Sequence, residues 1–309
     1  MSGFSFAAPP MALAWGTLRP AAFADRVAAA AAAGFPAIGL AISDYLSLRQ
    51  AGWDDDEMQA LLDDHGVRID EVEVIFGFSA RPGPAGIPER PGLFYADPEI
   101  EAAAMHMADV FGVRHLQAVG TFDDTPVGPE VISAFAQLCD RAAVHNLGVA
   151  LEFVPYTNIK DVRTASRIVE SADRPNGGLC VDSWHFFRGS ASFEDLERVP
   201  AHRIFMIQVN DGPAVPADTN RMHAAVHDRL CPGEGEYDLV RFLSSMDRPG
   251  LDATVSVEIY ADRLHRMPSV QAAGLAYRSA RTLTSCVEPR SRSEVSTVSP
   301  AAGGLDKEY

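Results

Sequence analysis

The stretch VALEFVPYTNIKDVRTASRIVESADRPNGGLCVD, residues 149–182, contains the pattern that decides the fold. It begins with an apolar run at residues 149–153 and ends with another at residues 178–182, and both have the length of a buried strand. Between them, residues 162–171 carry apolar side chains at helical spacing. A strand, a helix and a second strand in this order predict two parallel strands joined by the helix.

The same alternation continues in both directions along the chain. Strands are predicted at residues 11–15, 37–42, 67–76, 115–119, 149–153, 178–182, 204–209 and 254–259. Helices are predicted at residues 20–33, 54–65, 98–111, 129–146, 162–171, 193–198, 239–246 and 269–284. Eight strand–helix pairs in 309 residues predict an α/β protein folded as a single (β/α)8 TIM barrel. An open doubly wound sheet is disfavoured, because no glycine-rich phosphate loop follows the first strand.

Two segments differ from this alternation. Residues 79–95 are rich in Pro and Gly, and a loop of this length in a barrel predicts a lid or an interface element. Residues 288–309 are polar, rich in Ser and without apolar periodicity, which predicts a disordered C-terminal tail. The barrel catalytic domain is therefore expected to occupy residues 1–287.

The composition narrows the classes of partner. A formal net charge of -16 repels nucleic acid and anionic membrane surfaces, so neither is an expected partner. No apolar run approaches the roughly 18 residues of a membrane span, and the first ten residues lack the basic segment of a signal peptide. The four cysteines lack metal-finger spacing, and Cys139 and Cys180 lie in apolar runs. This usage is typical of a reduced, cytoplasmic protein.

Polar side chains of one chemical type end four consecutive predicted strands. These are Glu152, Asp182, Gln208 and Glu258, each in an otherwise apolar run. The active sites of such barrels lie at the carboxyl ends of the strands, so we expect the four to meet there. Three crowded carboxylates raise one another's pKa unless a cation neutralises them. An all-oxygen set suits Mn²⁺ or Mg²⁺ better than Zn²⁺, and the sequence therefore predicts one divalent metal.

Several motifs resemble the xylose isomerase-like barrel family of sugar phosphate isomerases and epimerases. They are Leu-Glu-Phe-Val-Pro from Leu151, Val-Asp-Ser-Trp-His-Phe-Phe-Arg-Gly ending at Gly189, Ile-Gln-Val-Asn-Asp from Ile207, Arg-Leu-Cys-Pro-Gly-Glu-Gly from Arg229, and Val257-Glu258. The resemblance covers about residues 11–286. It implies that Glu152, Asp182, Gln208 and Glu258 bind the metal and that His185 and Arg229 contact substrate. Most epimerases of the family carry His where this chain has Gln208, which looks more like the 3-dehydroshikimate dehydratase branch.

Other residues are candidates for the same site. Asp182 and His185 are three residues apart just beyond a strand, so both can face the barrel mouth. Trp15 and Trp184 could form walls of a sugar-sized pocket, although Trp is also common in cores. Glu71 and Glu73 lie at the end of the third predicted strand, where one could reach the site, whereas either could equally be a solvated or Arg-paired acid. His106 and His115 are interpreted as structural.

The pattern favours an enzyme that removes a proton next to a carbonyl. The expected reaction is isomerisation or epimerisation of a small sugar or polyhydroxylated ketone through an enediolate, with Glu152, Glu258 and His185 as catalytic residues. A metal-dependent dehydratase or lyase is the alternative. An abasic-site endonuclease shares this barrel, but the His-rich zinc cluster is missing and the acidity opposes DNA binding. A non-catalytic binding barrel would require a broken ligand set. The family resemblance also suggests a homo-oligomer.

Overall fold

The fold is a closed barrel of eight parallel strands with helices between them. A computed structural model describes residues 4–79, 97–216 and 218–288. The strands are β1 Met11–Leu13, β2 Ala37–Ala41, β3 Arg68–Phe76, β4 His115–Val119, β5 Gly148–Glu152, β6 Gly177–Asp182, β7 Ile204–Val209 and β8 Thr254–Val257. Each strand pairs in parallel with the next, and β8 pairs with β1 to close the sheet. The predicted single (β/α)8 TIM barrel is confirmed.

Twelve α-helices lie in the described part of the chain. They are α1 Phe23–Ala33, α2 Ile42–Gln50, α3 Asp55–His65, α4 Pro98–Phe111, α5 Pro129–Ala143, α6 Val162–Ala172, α7 Ser183–Arg188, α8 Phe193–Arg198, α9 Arg221–His227, α10 Leu239–Ser244, α11 Asp262–His265 and α12 Ser269–Ser285. The sequence prediction included eight of these, with some boundaries differing by a few residues, and missed α2, α7, α9 and α11. Two of the missed helices, α7 and α9, follow strands at the barrel mouth. No helix in the described ranges is long and apolar enough to cross a membrane.

The helix boundaries follow from local sequence. Asp54 caps α3, because its side chain accepts a hydrogen bond from the Glu57 backbone while the Glu57 side chain accepts one from the Asp54 backbone. Pro98 occupies the first turn of α4, where its missing N–H costs nothing. Gly112 then ends α4 in the left-handed conformation that glycine adopts without strain.

The apolar core lies between the sheet and the surrounding helices. In α6, for example, Val162, Ala165, Ile168, Val169 and Ala172 form one buried face. Inside the barrel, Ala150, Cys180 and Met206 form a separate small apolar cluster. Beside this cluster the interior is polar, with Gln117, Glu152 and Gln208 buried. This polar interior is the part of the fold that positions the site.

The remaining predictions about the fold concern two histidines and two segments. His106 lies on the surface and pairs with Asp55, while His115 is buried and its ring stacks on Phe205 at 5.2 Å. Neither lies at the barrel mouth, in agreement with a structural role. The predicted lid or interface loop, residues 79–95, falls outside the described residues except for Ser79. The predicted tail, residues 288–309, also falls outside them except for Glu288.

Candidate active site

The strand register brings the four predicted metal ligands to one end of the barrel. Side chains alternate between the two faces of a strand, so Glu152 follows Ala150 into the interior and Asp182 follows Cys180. Asp182 pairs with Gln208 across β6 and β7, and Gln208 pairs with Ser256 across β7 and β8. Glu258 lies two residues beyond Ser256, on the same face. All four predicted side chains are buried.

Arg229 links two of these carboxylates. Its Nη1 donates to Asp182 Oδ2 and to Glu258 Oε2, at 2.8 Å each. The residue is held by its Nε bond to the Ala225 carbonyl, at 2.8 Å, and by its backbone N–H bond to the Tyr260 carbonyl, at 3.1 Å. Arg229 therefore belongs to the charged centre of the site, in contact with the residues predicted to bind metal.

His185 lies beside two carboxylates, Glu152 and Asp182. It belongs to α7, and its Nε2 is 3.5 Å from Glu152 Oε1 and 3.7 Å from Asp182 Oδ2. Its Nδ1 faces the Tyr156 hydroxyl at 3.5 Å. Burial, together with Arg229, lowers the pKa of His185 to about 4 against the opposing effect of Asp182, so the imidazole is neutral near pH 7. A neutral imidazole at this position is able to accept a proton.

Glu152, Asp182 and His185 form a group that could hold a metal ion. Each offers one ligand atom, and the three atoms lie within 4.8 Å of one another. Glu258 is instead held by Arg229 and by Gln208 Nε2, which donates to Glu258 Oε1 at 3.0 Å. The cluster thus differs from the predicted ligand set by including His185. The ligand roles of Gln208 and Glu258 stay predictions.

The charges in the site do not balance. Burial, and then the neighbouring Asp182 carboxylate among other charges, raises the pKa of Glu152 well above its usual range. Burial likewise raises the pKa of Glu258, although Arg229 opposes the shift. Burial opposes ionisation of Asp182 as well, but Arg229, His185 and hydrogen bonds together keep its pKa below its usual range. Carboxylates that lack enough positive charge, arranged around a neutral imidazole, are a donor set that fits a divalent cation.

Two polar residues that the sequence analysis missed orient these carboxylates. Gln117 on β4 donates from Nε2 to Glu152 Oε2 at 2.9 Å. Asn210, just after β7, donates from Nδ2 to Asp182 Oδ1 at 2.7 Å. Both are buried, and each fixes one oxygen so that the other faces the centre of the site. The inward position of Gln117, two residues after His115, was the signal that could have revealed it.

A second acidic pair lies on β3. Glu71 Oε1 accepts from Ser256 Oγ at 2.5 Å, and Glu73 Oε1 accepts from the Trp15 backbone N–H at 2.8 Å. Gly39 on β2 makes this possible, because a Cβ there would overlap Glu73 Oε1 and lie 2.9 Å from Glu71 Oε1. Burial raises the pKa of Glu73 to about 7 and that of Glu71 well above its usual range. Of the two, Glu73 reaches the mouth.

A cavity of about 190 Å³ opens above these groups. Its polar lining residues are Glu73, Gln117, Glu152, Tyr156, His185, Arg229, Glu258 and Tyr260. Its apolar lining residues are Val74, Phe76, Val119, Phe122, Val154, Met222, Ala225 and Val226. Three of these apolar residues belong to α9, which therefore covers part of the mouth. The cavity is lined by both polar and apolar side chains, as expected for a small ring with hydroxyl groups.

The structure places the two predicted substrate-binding tryptophans away from this cavity. Trp184 is buried, and the Arg229 guanidinium lies over its ring at 5.6 Å. The Trp15 indole donates to Asp44 Oδ2 at 3.0 Å, and its backbone supports Glu73. Among the described residues, neither belongs to the cavity lining, because one ring lies beneath Arg229 and the other is drawn toward Asp44. Both contact residues of the site, and their predicted contact with substrate stays a prediction.

Fold and site together define a parallel (β/α)8 barrel with a buried, carboxylate-rich centre at the carboxyl ends of its strands. The family described as xylose isomerase-like TIM barrel matches residues 27–286. The chain belongs to this family.

Curated relatives carry two different enzyme names. An inosose isomerase of Bacillus subtilis is 27% identical over 175 residues, which cover 54% of this chain and 62% of the relative. A 3-dehydroshikimate dehydratase of Pseudomonas aeruginosa is 29% identical over 134 residues, which cover 43% of this chain and 21% of the relative. The matched part thus spans less than two thirds of each relative.

Solved structures confirm the architecture. A crystal structure of the IOLI protein with a bound zinc atom superimposes with a TM-score of 0.78, at 21% identity, over 90% of this chain and 99% of that chain. A probable 3-dehydroshikimate dehydratase of Bacillus anthracis superimposes with a TM-score of 0.67, at 16% identity, over 89% of this chain and 98% of that chain. At these identities the likeness shows the shared fold.

Proposed function

We propose that this protein is a divalent-metal-dependent isomerase that moves a proton next to the carbonyl of a small polyhydroxylated ketone. The observation that carries the proposal is the group formed by Glu152, Asp182 and His185 beside a cavity lined by polar and apolar side chains. Relatives named inosose isomerase support this reaction class. The same site also supports metal-dependent dehydration, which is the second candidate.

The metal would be held by Glu152, Asp182, Gln208 and Glu258, with His185 adjacent. Oxygen donors favour Mn²⁺ or Mg²⁺, whereas the zinc atom belongs to the IOLI structure alone. When bound, a divalent cation lowers the energy of negative charge that develops on a carbonyl oxygen. Gln208 Oε1 now accepts from Cys180 Sγ at 3.2 Å, so a ligand role would require Gln208 to exchange this bond.

The protein's own side chains have separable roles in this proposal. His185 is neutral, lies 3.5 Å from Glu152 and lines the cavity, so it is the preferred proton acceptor. Glu152 ends β5 and Glu258 directly follows β8, so they approach the cavity from different strands and either could return the proton. Arg229 would orient a substrate oxygen while it keeps Asp182 ionised.

The dehydratase alternative rests on a specific residue. Gln208 occupies the position where, by resemblance, the dehydratase branch differs from most epimerases of the family, and two relatives are named 3-dehydroshikimate dehydratase. In this reaction the same proton acceptor would act, and a second acid would protonate a departing hydroxyl group. The two candidates therefore share their first step and differ in the second.

The decisive experiment follows the shared step. Protein stripped with a chelator and reloaded with Mn²⁺ or Mg²⁺ is incubated in D₂O with an inosose or with 3-dehydroshikimate, and NMR records deuterium entering next to the carbonyl. We expect metal-dependent exchange with at least one substrate, followed by a rearranged ketone or by loss of water. Equal exchange in fully chelated protein, or none with any metal, would overturn the proposal.

The role of His185 is tested in the same assay. H185N keeps a polar side chain of similar size but cannot accept the proton, so exchange should fall by about 100-fold or more. H65N, which alters an exposed histidine on α3, is the matched control and should retain full activity. If H185N exchanges deuterium at the normal rate but forms no product, a glutamate removes the proton and His185 acts later.

A further inference from the structure

Carboxyl groups outnumber cationic side chains in the described part of the cavity lining. Glu73, Glu152 and Glu258 line the cavity, and Asp182 lies directly beneath it. Among the described residues Arg229 is the one Lys or Arg side chain in the lining, and it is already bonded to Asp182 and Glu258. With all four carboxyl groups ionised, a divalent metal and Arg229 together would supply three positive charges against four negative ones.

Two nearby arginines that could bind an anion, Arg188 and Arg221, make other contacts instead. Arg188 donates to the Pro213 carbonyl at 2.7 Å and lies over the Trp184 ring at 4.6 Å. Arg221 donates to the Arg188 carbonyl. Neither belongs to the cavity lining in the described ranges. Within residues 4–79, 97–216 and 218–288, the walls thus present acceptors for hydroxyl groups and no free Lys or Arg for a phosphate or a carboxylate.

Glu73 has an oxygen available for such a hydroxyl group. Its Oε1 accepts from the Trp15 backbone, which fixes the carboxylate at the cavity edge. For Oε2, the part of the chain that the structure describes provides no hydrogen-bond donor. Glu71, its neighbour, is bonded to Ser256 and lies behind it, outside the lining. Glu73 is therefore the acidic β3 side chain that lines the cavity in the described part of the chain.

We propose that the site accepts an uncharged polyhydroxylated ketone and rejects phosphorylated or carboxylated analogues, with Glu73 accepting a hydrogen bond from a substrate hydroxyl. This inference rests on the proposed function and adds the substrate's charge class and a residue that selects it. A hydroxyl donating to a carboxylate forms a strong, charge-assisted bond. An anionic group in the same position would meet like charge where burial weakens solvent screening.

Calorimetric binding tests this selectivity independently of turnover. Mn²⁺-loaded protein is titrated with an inosose, which is uncharged, and with 3-dehydroshikimate, which carries a carboxylate. We expect the inosose to bind at least about tenfold more tightly. E73Q keeps an acceptor oxygen but removes the charge, so it should weaken inosose binding by about tenfold, because a hydrogen bond to a neutral oxygen is weaker than one to a carboxylate. The same substitution should leave 3-dehydroshikimate binding unchanged or improve it, because one repulsive charge is removed.

Two controls separate recognition from general effects. E71Q alters the buried carboxylate that lies behind Glu73 and retains an oxygen to accept from Ser256, so it should not change inosose binding. E170Q alters an exposed glutamate on α6 and should change the binding affinity of neither ligand. Thermal melting of each variant shows whether it is folded, and the comparison of the two ligands on the unaltered protein needs no variant.

The outcomes also separate this inference from the proposed function. Tight inosose binding that depends on Glu73, without any deuterium exchange, would support the selectivity and overturn the proposed reaction. Equal or tighter binding of 3-dehydroshikimate would overturn the selectivity, while exchange and water loss on that compound would support the dehydratase candidate. Failure of the inosose to bind at millimolar concentration would overturn the selectivity.

Discussion

Replacing Arg229 with Met should destabilise the metal-free protein strongly. The substitution keeps much of the side chain's volume but leaves Asp182 and Glu258 buried without the guanidinium that bonds both at 2.8 Å. Removing one partner of a buried ion pair costs about 3–5 kcal/mol. We therefore expect the free energy of unfolding to fall by about 3–5 kcal/mol. For a chain of this length, that fall corresponds to a loss of roughly 5–8 °C in Tm.

The assay is urea unfolding followed by circular dichroism, on chelated protein at pH 7. R163M is the control, because it breaks an exposed ion pair between Arg163 and Asp195 and should leave the unfolding midpoint nearly unchanged. Added Mn²⁺ should stabilise R229M more than the unaltered protein, because the ion replaces the lost positive charge. A chelated R229M whose stability lies within about 1 kcal/mol of the unaltered protein would refute the reasoning from buried charge.

Three further predictions concern the rest of the chain. Burial, aided by Arg114, lowers the pKa of His115 to about 4, so the stability it contributes is present above pH 6.5 and lost as pH falls toward 4. Urea unfolding at pH 7 and at pH 4.5 measures this loss of stability, and H115L should reduce it by up to about 3 kcal/mol. A loss of stability between the two pH values that is the same in H115L and in the unaltered protein would contradict the assignment. D54A should lower unfolding free energy by about 1 kcal/mol through loss of the α3 cap, whereas D56A, which alters no cap, should not. Truncation after Glu288 should leave Tm and activity unchanged, and a loss of several degrees would show that the tail docks.

The fold could be predicted because its signals are local and repeated. Each long helix shows several turns of apolar periodicity, and Gly34, Gly66 and Gly112 mark three of their ends. The meeting of Glu152, Asp182, Gln208 and Glu258 could be predicted too, since parallel strands in a barrel end at one face. Their roles in binding metal and in catalysis remain predictions.

The sequence did not show what fills the mouth. Helices α7 and α9 have six and seven residues, which is fewer than two full turns in each case. Helices this short do not display a periodic apolar pattern. The contact of Arg229 with Asp182 and Glu258 joins residues 47 and 29 positions apart, which only the closed barrel brings together. Gln117 lies in β4, where the neighbouring polar residue His115 was interpreted as structural, so Gln117 was not recognised as a site residue. Trp184 was predicted as a possible pocket wall, whereas its ring lies beneath Arg229.

Gly39 has a consequence for how this site can change through mutation. The acidic wall on β3 exists because the neighbouring strand contributes no side chain at this position, and a methyl group there would displace the Glu73 carboxylate. Substitutions at residue 39 and at residue 73 are therefore coupled. The effect of changing both residues should differ from the sum of the effects of changing each one alone. Protein engineers who wish to redirect this barrel toward anionic compounds would have to redesign β2 and β3 as a pair.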